Sequence, residues 1–580
     1  MKKVLLIGIN AKYIHSNPAI YSLHAYTRMQ MAEDWEEYLQ LAEYTINQNM
    51  ETILADIYGR KPDVAAFSCY IWNWNMIQEL IVELPKVLPD IKIWLGGPEV
   101  SFHGERLLQQ YPSVQGIMIG EGEKTFAELF FHYQTGTPLL SSIKGLLLPQ
   151  GYTGDRTLTD INEVPFFYDD LEKFQNRIIY YESQRGCPFR CAYCLSSIDK
   201  QVRIRDLDTV KKHLQFFLDN RVDQVKFIDR TFNCNAKYAL AVWSFLQEHD
   251  NGVTNFHFEI AADLLTEEQL SVMEKMRPGL IQLEIGVQST NEKTLHVINR
   301  YMSLAHLSEM VAKIKGFGNI HQHLDLIAGL PYEDYESFGH SFDDVYAMKP
   351  EQLQLGFLKV LKGSPIEEHT QEYGIVYQEK PPYEVLGTNW LSYAEVLKLK
   401  GVEEMVELYY NSLQFVHSIP VLEQCFTSPF AMYEALADYY KRKGYFVQTP
   451  ARSYRYQVLL EFMDEVDVTK HDLFAECLTF DLYLRENLKS RPDFMKDMSE
   501  KQAVKDFYRQ EAERHTYLKD YESYNGVQLA KMTHIECFSY EVWGTGIKLE
   551  KPVYLLFDYK HRNPLTYDAQ FFVIEENIYE

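Results

Sequence analysis

YYESQRGCPFRCAYC occupies residues 180–194, and the stretch that it opens decides the fold. Strand-like and helix-like runs alternate from there to LQLGFLKVL (353–361). Helical TVKKHLQFFLDN (209–220) precedes strand-like QVKFID (224–229), and YALAVWSFLQEH (238–249) precedes FHFEIA (256–261). EEQLSVMEKM (267–276) leads to LIQLEIGVQS (280–289), and LSEMVAKIKGFG (307–318) leads to HLDLIAGLP (323–331). Alternation of this kind forces parallel strands joined by right-handed crossovers. Six units fall short of the eight that close a barrel, so a partial (βα)6 barrel over 175–375 is expected. Its chemistry should sit at the carboxyl ends of the strands.

Outward from this centre, residues 1–140 show VLLIGI (4–9), a helix from Pro18 to Arg28, DVAAFSCYI (63–71), IKIWLGG (91–97) and VQGIMIG (114–120). Helical runs, IQELIVELPKVL (77–88) among them, separate these strands. Uniformly apolar strands between helices predict an α/β, Rossmann-like, doubly wound parallel sheet with ligands beyond the strand ends. Those ends read Asn10 to His15, Ser68-Cys69-Tyr70, Gly96-Gly97-Pro98-Glu99 and Gly120-Glu121-Gly122-Glu123. Glycines there let backbone approach a ligand, although tight turns use glycine in the same way. No G-x-G-x-x-G follows the first strand, which argues against a dinucleotide. From about 380 the pattern becomes that of amphipathic helices, with VYLLFDYKH (553–561) and AQFFVIEE (569–576) as strands. A mostly helical α+β domain over 380–580 is expected, its dense aromatics forming core or walling a pocket. Cys425, Cys477 and Cys537 are isolated and expected to be packed thiols.

The chain has 580 residues, 57 Lys and Arg against 82 Asp and Glu, and a net charge of −25. No third of it is basic, which argues against a nucleic-acid partner. MKKVLLIGIN superficially resembles a signal peptide, but its apolar run stops at Asn10 and reads better as a strand. No run approaches about 18 apolar residues, so no membrane span and a cytoplasmic location are expected.

Three of the eight cysteines fall at Cys187, Cys191 and Cys194, a C-x3-C-x2-C spacing. Three thiolates on one loop can hold three irons of a [4Fe–4S] cluster and leave the fourth iron open. A structural zinc would need a fourth ligand, and the next cysteine is Cys234. Glu259, Glu284, Gln288 and Asp325 interrupt apolar strands, at a cost unless they are partnered. They mark a site or a buried network supporting the barrel.

The triplet, with an aromatic before its last cysteine, resembles the radical SAM superfamily. With a Rossmann-like domain ahead of it, the chain resembles the cobalamin-binding-domain radical SAM proteins, in a subfamily whose C-terminal domain has no assigned function. The resemblance implies that the open iron chelates S-adenosylmethionine and that its cleavage yields a 5′-deoxyadenosyl radical. It places Tyr193 on the adenine. Through a G-V-Q strand, an Arg twelve residues on and a D-L-I-x-G-L-P strand, it assigns Glu259, Gln288, Arg300 and Asp325 to S-adenosylmethionine. Arg300 suits a carboxylate as a planar, always-charged fork. Asp229 ends the second strand, where the family presents backbone to the methionyl amino group, but the usual Gly-Gly-Glu is missing.

GGPEVS (96–101) and GEGEKTF (120–126) resemble the strand-end loops of the cobalamin domain. His15, Ser68, Gly96, Gly97, Glu99, Gly120, Glu121 and Gly122 are the implied cobalamin residues. The family's D-x-H-x-x-G is incomplete around His15. That histidine either ligates cobalt or shapes a loop over which cobalamin binds without a protein ligand. Methylthiotransferases would need a second cysteine trio, and Cys69 is the only cysteine in 1–186. The implied activity is radical chemistry on an unactivated carbon of a small molecule or peptide, with methyl transfer from cobalamin as one second step. A flavodoxin- or ferredoxin-like electron donor is implied. The alternatives are a radical SAM enzyme without cobalamin and a non-catalytic iron–sulfur or cobalamin-binding sensor.

Overall fold

A computed structural model describes residues 1–31 and 33–574. Glu575 and Glu576, the end of the expected AQFFVIEE strand, lie outside them. Strand Val4–Asn10 is buried along its whole length. It is flanked in parallel by Leu39–Thr45 on one side and Val64–Ser68 on the other. Lys92–Gly96 and Val114–Met118 continue the parallel sheet, and Leu146–Leu148 and Gly151–Tyr152 extend it antiparallel. The strand order therefore reverses between Val4–Asn10 and Val64–Ser68, which opens a crevice at their carboxyl ends. Helix Pro18–Arg28 starts there because Pro18 presets its first turn and the Asn17 side chain caps Ile20 N–H. Leu39–Thr45 and the helix Met50–Arg60 complete a unit that the sequence reading did not single out. LQLAEYT alternates buried and half-buried positions, as suits an edge strand, and gives no continuous apolar run.

The middle of the chain builds a six-stranded, all-parallel sheet in sequence order. Its strands are Ile179–Tyr181, Gln224–Phe227, Asn255–Ile260, Ile281–Gln288, His321–Ala328 and Gln352–Phe357. Helices cross between successive strands, N-capped by the side chains of Asp206, Asn235, Thr266, Asn291, Ser303 and Asp334. Side chains alternate with period two along each strand. Val225, Phe256, Phe258, Leu283, Ile285, Leu324 and Leu326 are buried in the core. The alternate positions hold Lys226, His257, Glu259, Glu284, His323 and Asp325. The polar interruptions are thus one continuous inner face of the partial barrel.

Helices Tyr393–Val406, Pro429–Lys443, Tyr454–Asp467 and His471–Arg485 follow, then Lys501–Arg514 and an antiparallel sheet of Thr533–Tyr540, Lys548–Arg562 and Ala569–Val573. Tyr433, Tyr439, Tyr440 and Tyr456 are fully buried, so these aromatics are core. They share a single apolar cluster with the barrel. Tyr335 Oη donates to Glu434 at 2.6 Å and Phe430 N–H to Asp343 at 2.8 Å across that junction. Cys477 and Cys537 are buried and Cys425 is half-buried. Among the described residues no helix is long and apolar enough to cross a membrane.

Candidate cofactor sites and family

The cysteine loop is closed at its base by a two-stranded antiparallel ribbon, Gln184–Arg185 against Arg203–Ile204. Gly186 turns into the loop at φ +94°, where a Cβ would stand 2.5 Å from Gln201 O. Cys187 N–H donates to Asp199 O at 3.0 Å, and Ala192 N–H to Ile298 O at 2.8 Å. All three thiols line one cavity of about 180 Å³ at the carboxyl ends of the barrel strands. Burial pushes the Cys187 thiol pKa up. Among the described residues no three His, Cys, Asp or Glu side chains converge on a point for one metal ion.

Tyr193, Glu259, Gln288, Arg300 and Asp325 line the same cavity. Gln288 sits at φ +74°, just past a bulge in its strand, in a region that a side chain occupies at a cost. Gly286 makes room: a Cβ there would stand 2.2 Å from Gln288 Nε2. Arg300 donates to Gly286 O and lies 3.8 Å from Cys191 Sγ. Gln288 Oε1 and Arg300 Nε are buried without a hydrogen-bond partner, and Asp325 Oδ1 lies 3.0 Å from His323 Nε2. Burial raises the pKa values of Glu259 and Asp325. Below them, Glu284 receives Lys226 Nζ at 2.9 Å and lies 3.0 Å from His257 Nε2. Burial opposes its ionisation, but these two partners outweigh burial and hold its pKa well below the ordinary range.

Asp229 is outside this cavity. Its carboxylate accepts Ser183 N–H at 2.8 Å and Gln184 N–H at 2.9 Å, so it pins the backbone entering the cysteine loop. Burial pushes its pKa up to about 7.

A second cavity, of about 670 Å³, lies between the first sheet and the barrel. Ser68, Gly96, Gly97, Gly120, Glu121 and Gly122 line it, together with Phe166, Phe167 and Tyr180 from the barrel side. Gly97 has φ +111° and a Cβ on it would stand 2.5 Å from Cys69 O; one on Gly122 would stand 2.8 Å from Leu23 Cδ2. Two implied residues are elsewhere. His15 Nδ1 is 2.6 Å from Tyr180 Oη, and Glu99 lies 2.6 Å from Lys362 Nζ.

Residues 4–130 match the B12 binding domain, 181–345 the radical SAM superfamily and 371–557 a protein family of unknown function, DUF4080. The chain thus carries a B12-binding domain and a radical SAM domain ahead of a DUF4080 region. It is 22% identical over 353 residues to the cobalamin-dependent radical SAM methyltransferase TokK of Streptomyces tokunonensis, covering 55% of this chain and 51% of TokK. It is 24% identical over 498 residues to the 2-(S-pantetheinyl)-carbapenam-3-carboxylate methyltransferase of Streptantibioticus cattleyicolor, covering 76% of this chain and 70% of that one. The chain thus matches about half of the first relative's length. The fold is similar to OxsB with aqua-cobalamin and S-adenosylmethionine bound, at TM-score 0.55, 15% identity, 90% of this chain and 80% of that one. It is also similar to TsrM of Kitasatospora setae with cobalamin and a [4Fe–4S] cluster bound, at TM-score 0.53, 16% identity, 66% of this chain and 78% of that one.

The radical SAM domain implies a [4Fe–4S] cluster and S-adenosylmethionine, and the B12-binding domain implies cobalamin. The residues present fit them. Unpaired buried polar atoms beside three thiols await a polar ligand. The glycine-edged crevice at the switch point admits a bulky one. Sequence reasoning missed Lys226, His257 and His323 on the barrel's inner face. Period-two reading from Glu259 and Glu284 would have found His257 and, through the parallel register, Lys226.

Proposed function

We propose that this chain binds a [4Fe–4S] cluster through Cys187, Cys191 and Cys194, cleaves S-adenosylmethionine reductively and uses cobalamin to modify an unactivated carbon, by methyl transfer in the first instance. The observation that carries the reading is the single cavity shared by three thiols, by the unpaired Gln288 Oε1 and Arg300 Nε, and by Asp325. When bound, cluster and S-adenosylmethionine supply a radical that abstracts hydrogen, and cobalamin supplies a methyl group.

The chain's own residues orient these groups. Arg300, half-buried and always charged, suits the methionyl carboxylate. Tyr193 walls the cavity for the adenine. Glu259 and Asp325, poised by burial at raised pKa values, suit ribose hydroxyls and the sulfonium surroundings. Asp229 acts on the site only through Ser183, by its backbone and its hydroxyl, and the backbone of Gln184. Ser68, Gly96, Gly97, Gly120, Glu121 and Gly122 form the cobalamin wall. The His15 bond to Tyr180 and its place outside the cavity lining support cobalamin bound without a protein ligand on cobalt. The substrate, a small molecule or peptide, would enter between the two cavities, and a flavodoxin- or ferredoxin-like protein would supply the electron.

Anaerobic reconstitution tests the reading. Iron, sulfide and cobalamin are counted, and 5′-deoxyadenosine is assayed under reducing conditions. A chain that holds its cluster but never cleaves S-adenosylmethionine, candidate substrates included, overturns it. Cleavage without cobalamin binding turns it into a radical SAM enzyme that works without cobalamin.

A further inference from the structure

We propose that Arg185 and Arg203 form a clamp that fixes the separation between the iron–sulfur loop and the cobalamin pocket by gripping Glu121 and Glu123; this rests on the cofactor assignment above. The two arginines stand directly opposite each other in the ribbon at the base of the cysteine loop. Like charges so paired repel, and the ribbon alone would be destabilised by them. Carboxylates from the first domain compensate. Glu121 Oε1 lies 2.6 Å from Arg203 Nη1 and 3.5 Å from Arg185 Nη1, and Glu123 Oε1 lies 2.7 Å from Arg185 Nη2. Glu182, 2.7 Å from Arg185, and Asp199, 2.5 Å from Arg203, complete the set from the barrel side.

Both ends of the clamp reach a cofactor region. Arg185 is two residues from Cys187, and Asp199, which holds Arg203, also takes the Cys187 N–H on its carbonyl. On the other side, Gly120–Glu123 is a wall of the large cavity, and Ser22 of helix Pro18–Arg28, another wall, donates to Glu123 at 3.2 Å. The side chains of Glu123 and Arg203 are only 6% and 11% exposed. Releasing Arg185 leaves the buried Glu123 carboxylate without its cation, so the clamp has one strongly preferred geometry. Chemistry shared between two cofactors needs that precision, since a shift of about 1 Å in a reacting pair costs on the order of a hundredfold in rate. Docking of the domains does not hang on the clamp alone. Ile178 N–H donates to Ile14 O at 2.9 Å, and Arg177 lies 2.7 Å from Glu43. Clamp variants are therefore expected to stay folded and loaded.

The test uses the full chain with cluster and cobalamin restored and counted, and both reduced to their paramagnetic forms. Their magnetic interaction, read by electron paramagnetic resonance, falls with the cube of their separation. Arg185→Gln and Arg203→Gln are expected to keep both cofactors but to weaken and broaden that interaction, with partial recovery in Arg185→Lys. An interaction identical to that of the unaltered chain in both glutamine variants overturns the clamp and leaves the cofactor assignment standing. An unaltered chain that fails to load either cofactor overturns the assignment, and the clamp with it. If Arg185→Gln does not fold, Arg203→Gln alone decides.

Discussion

Glu99 Oε1 lies 2.6 Å from Lys362 Nζ, joining the loop after strand Lys92–Gly96 to the segment just past the last barrel strand. Tyr383 Oη donates to the same carboxylate, and the Glu99 side chain is 5% exposed. Lys362→Met would leave that carboxylate buried without its cation. A loss of about 3 kcal/mol is expected, in line with broken buried pairs. The double variant with Glu99→Gln should recover most of it. Denaturation midpoints read the pair, and equal losses in the single and double variants would count against it.

The cysteine assignment separates two kinds of thiol. Cys187→Ala, Cys191→Ala and Cys194→Ala are each expected to abolish bound iron and the visible cluster absorbance while far-ultraviolet circular dichroism stays unchanged. Cys234 donates to Gln184 Oε1 at 3.4 Å and lines neither cavity. Cys234→Ala should keep the cluster, and iron loss there would show that the ligand set is wrong.

Gly286 is small because Gln288 folds back over it. Gly286→Ala should push the Gln288 amide aside and weaken S-adenosylmethionine binding about tenfold, equivalent to about 1.4 kcal/mol. Arg300→Lys, which loses the fork, should do at least as much. Equilibrium binding to the reconstituted protein reads both, with iron content as the control. Unchanged affinity in the two variants would remove these residues from the site.

Asp229 has a folded-state pKa of about 7, raised by burial. In the unfolded chain an aspartate titrates near about 3.9. Between those values the folded protein holds a proton that the unfolded chain has released, so the Asp229 contribution to stability falls as pH rises, by about 1.4 kcal/mol per unit. Asp229→Asn removes this dependence. The variant should therefore gain on the unaltered protein as pH climbs through about 5 to 7, and parallel stability curves would refute the shift.

His15 offers a spectroscopic prediction. With cobalt free of a histidine ligand, His15→Ala should leave the electron paramagnetic resonance of one-electron-reduced cobalamin in this chain unchanged. A triplet splitting that vanishes in His15→Ala would establish ligation.

The barrel was legible because each strand carries a buried apolar face and the helices between them are long and capped. Strand Leu39–Thr45 was not, because an edge strand with half its positions part-exposed looks like a polar loop. Gln288, Arg300, Glu259 and Asp325 could be picked out from strand motifs, and they do share one cavity. Glu99 fitted a loop pattern equally well, yet its cation lies 263 residues away and no local signal points to it. The Arg185–Glu123 contact spans 62 residues and is hidden for the same reason. Local chemistry can be read along a chain; a partner contributed by another domain cannot.

The apolar cluster shared by the barrel and the C-terminal helices has an evolutionary consequence. Tyr346 and Tyr433 pack ring to ring at 5.9 Å, each from a different third of the chain. A recombination point near residue 380 would cut this stack and expose both faces. Barrel and C-terminal third therefore share one core, and a boundary drawn between them would separate two faces that each need the other.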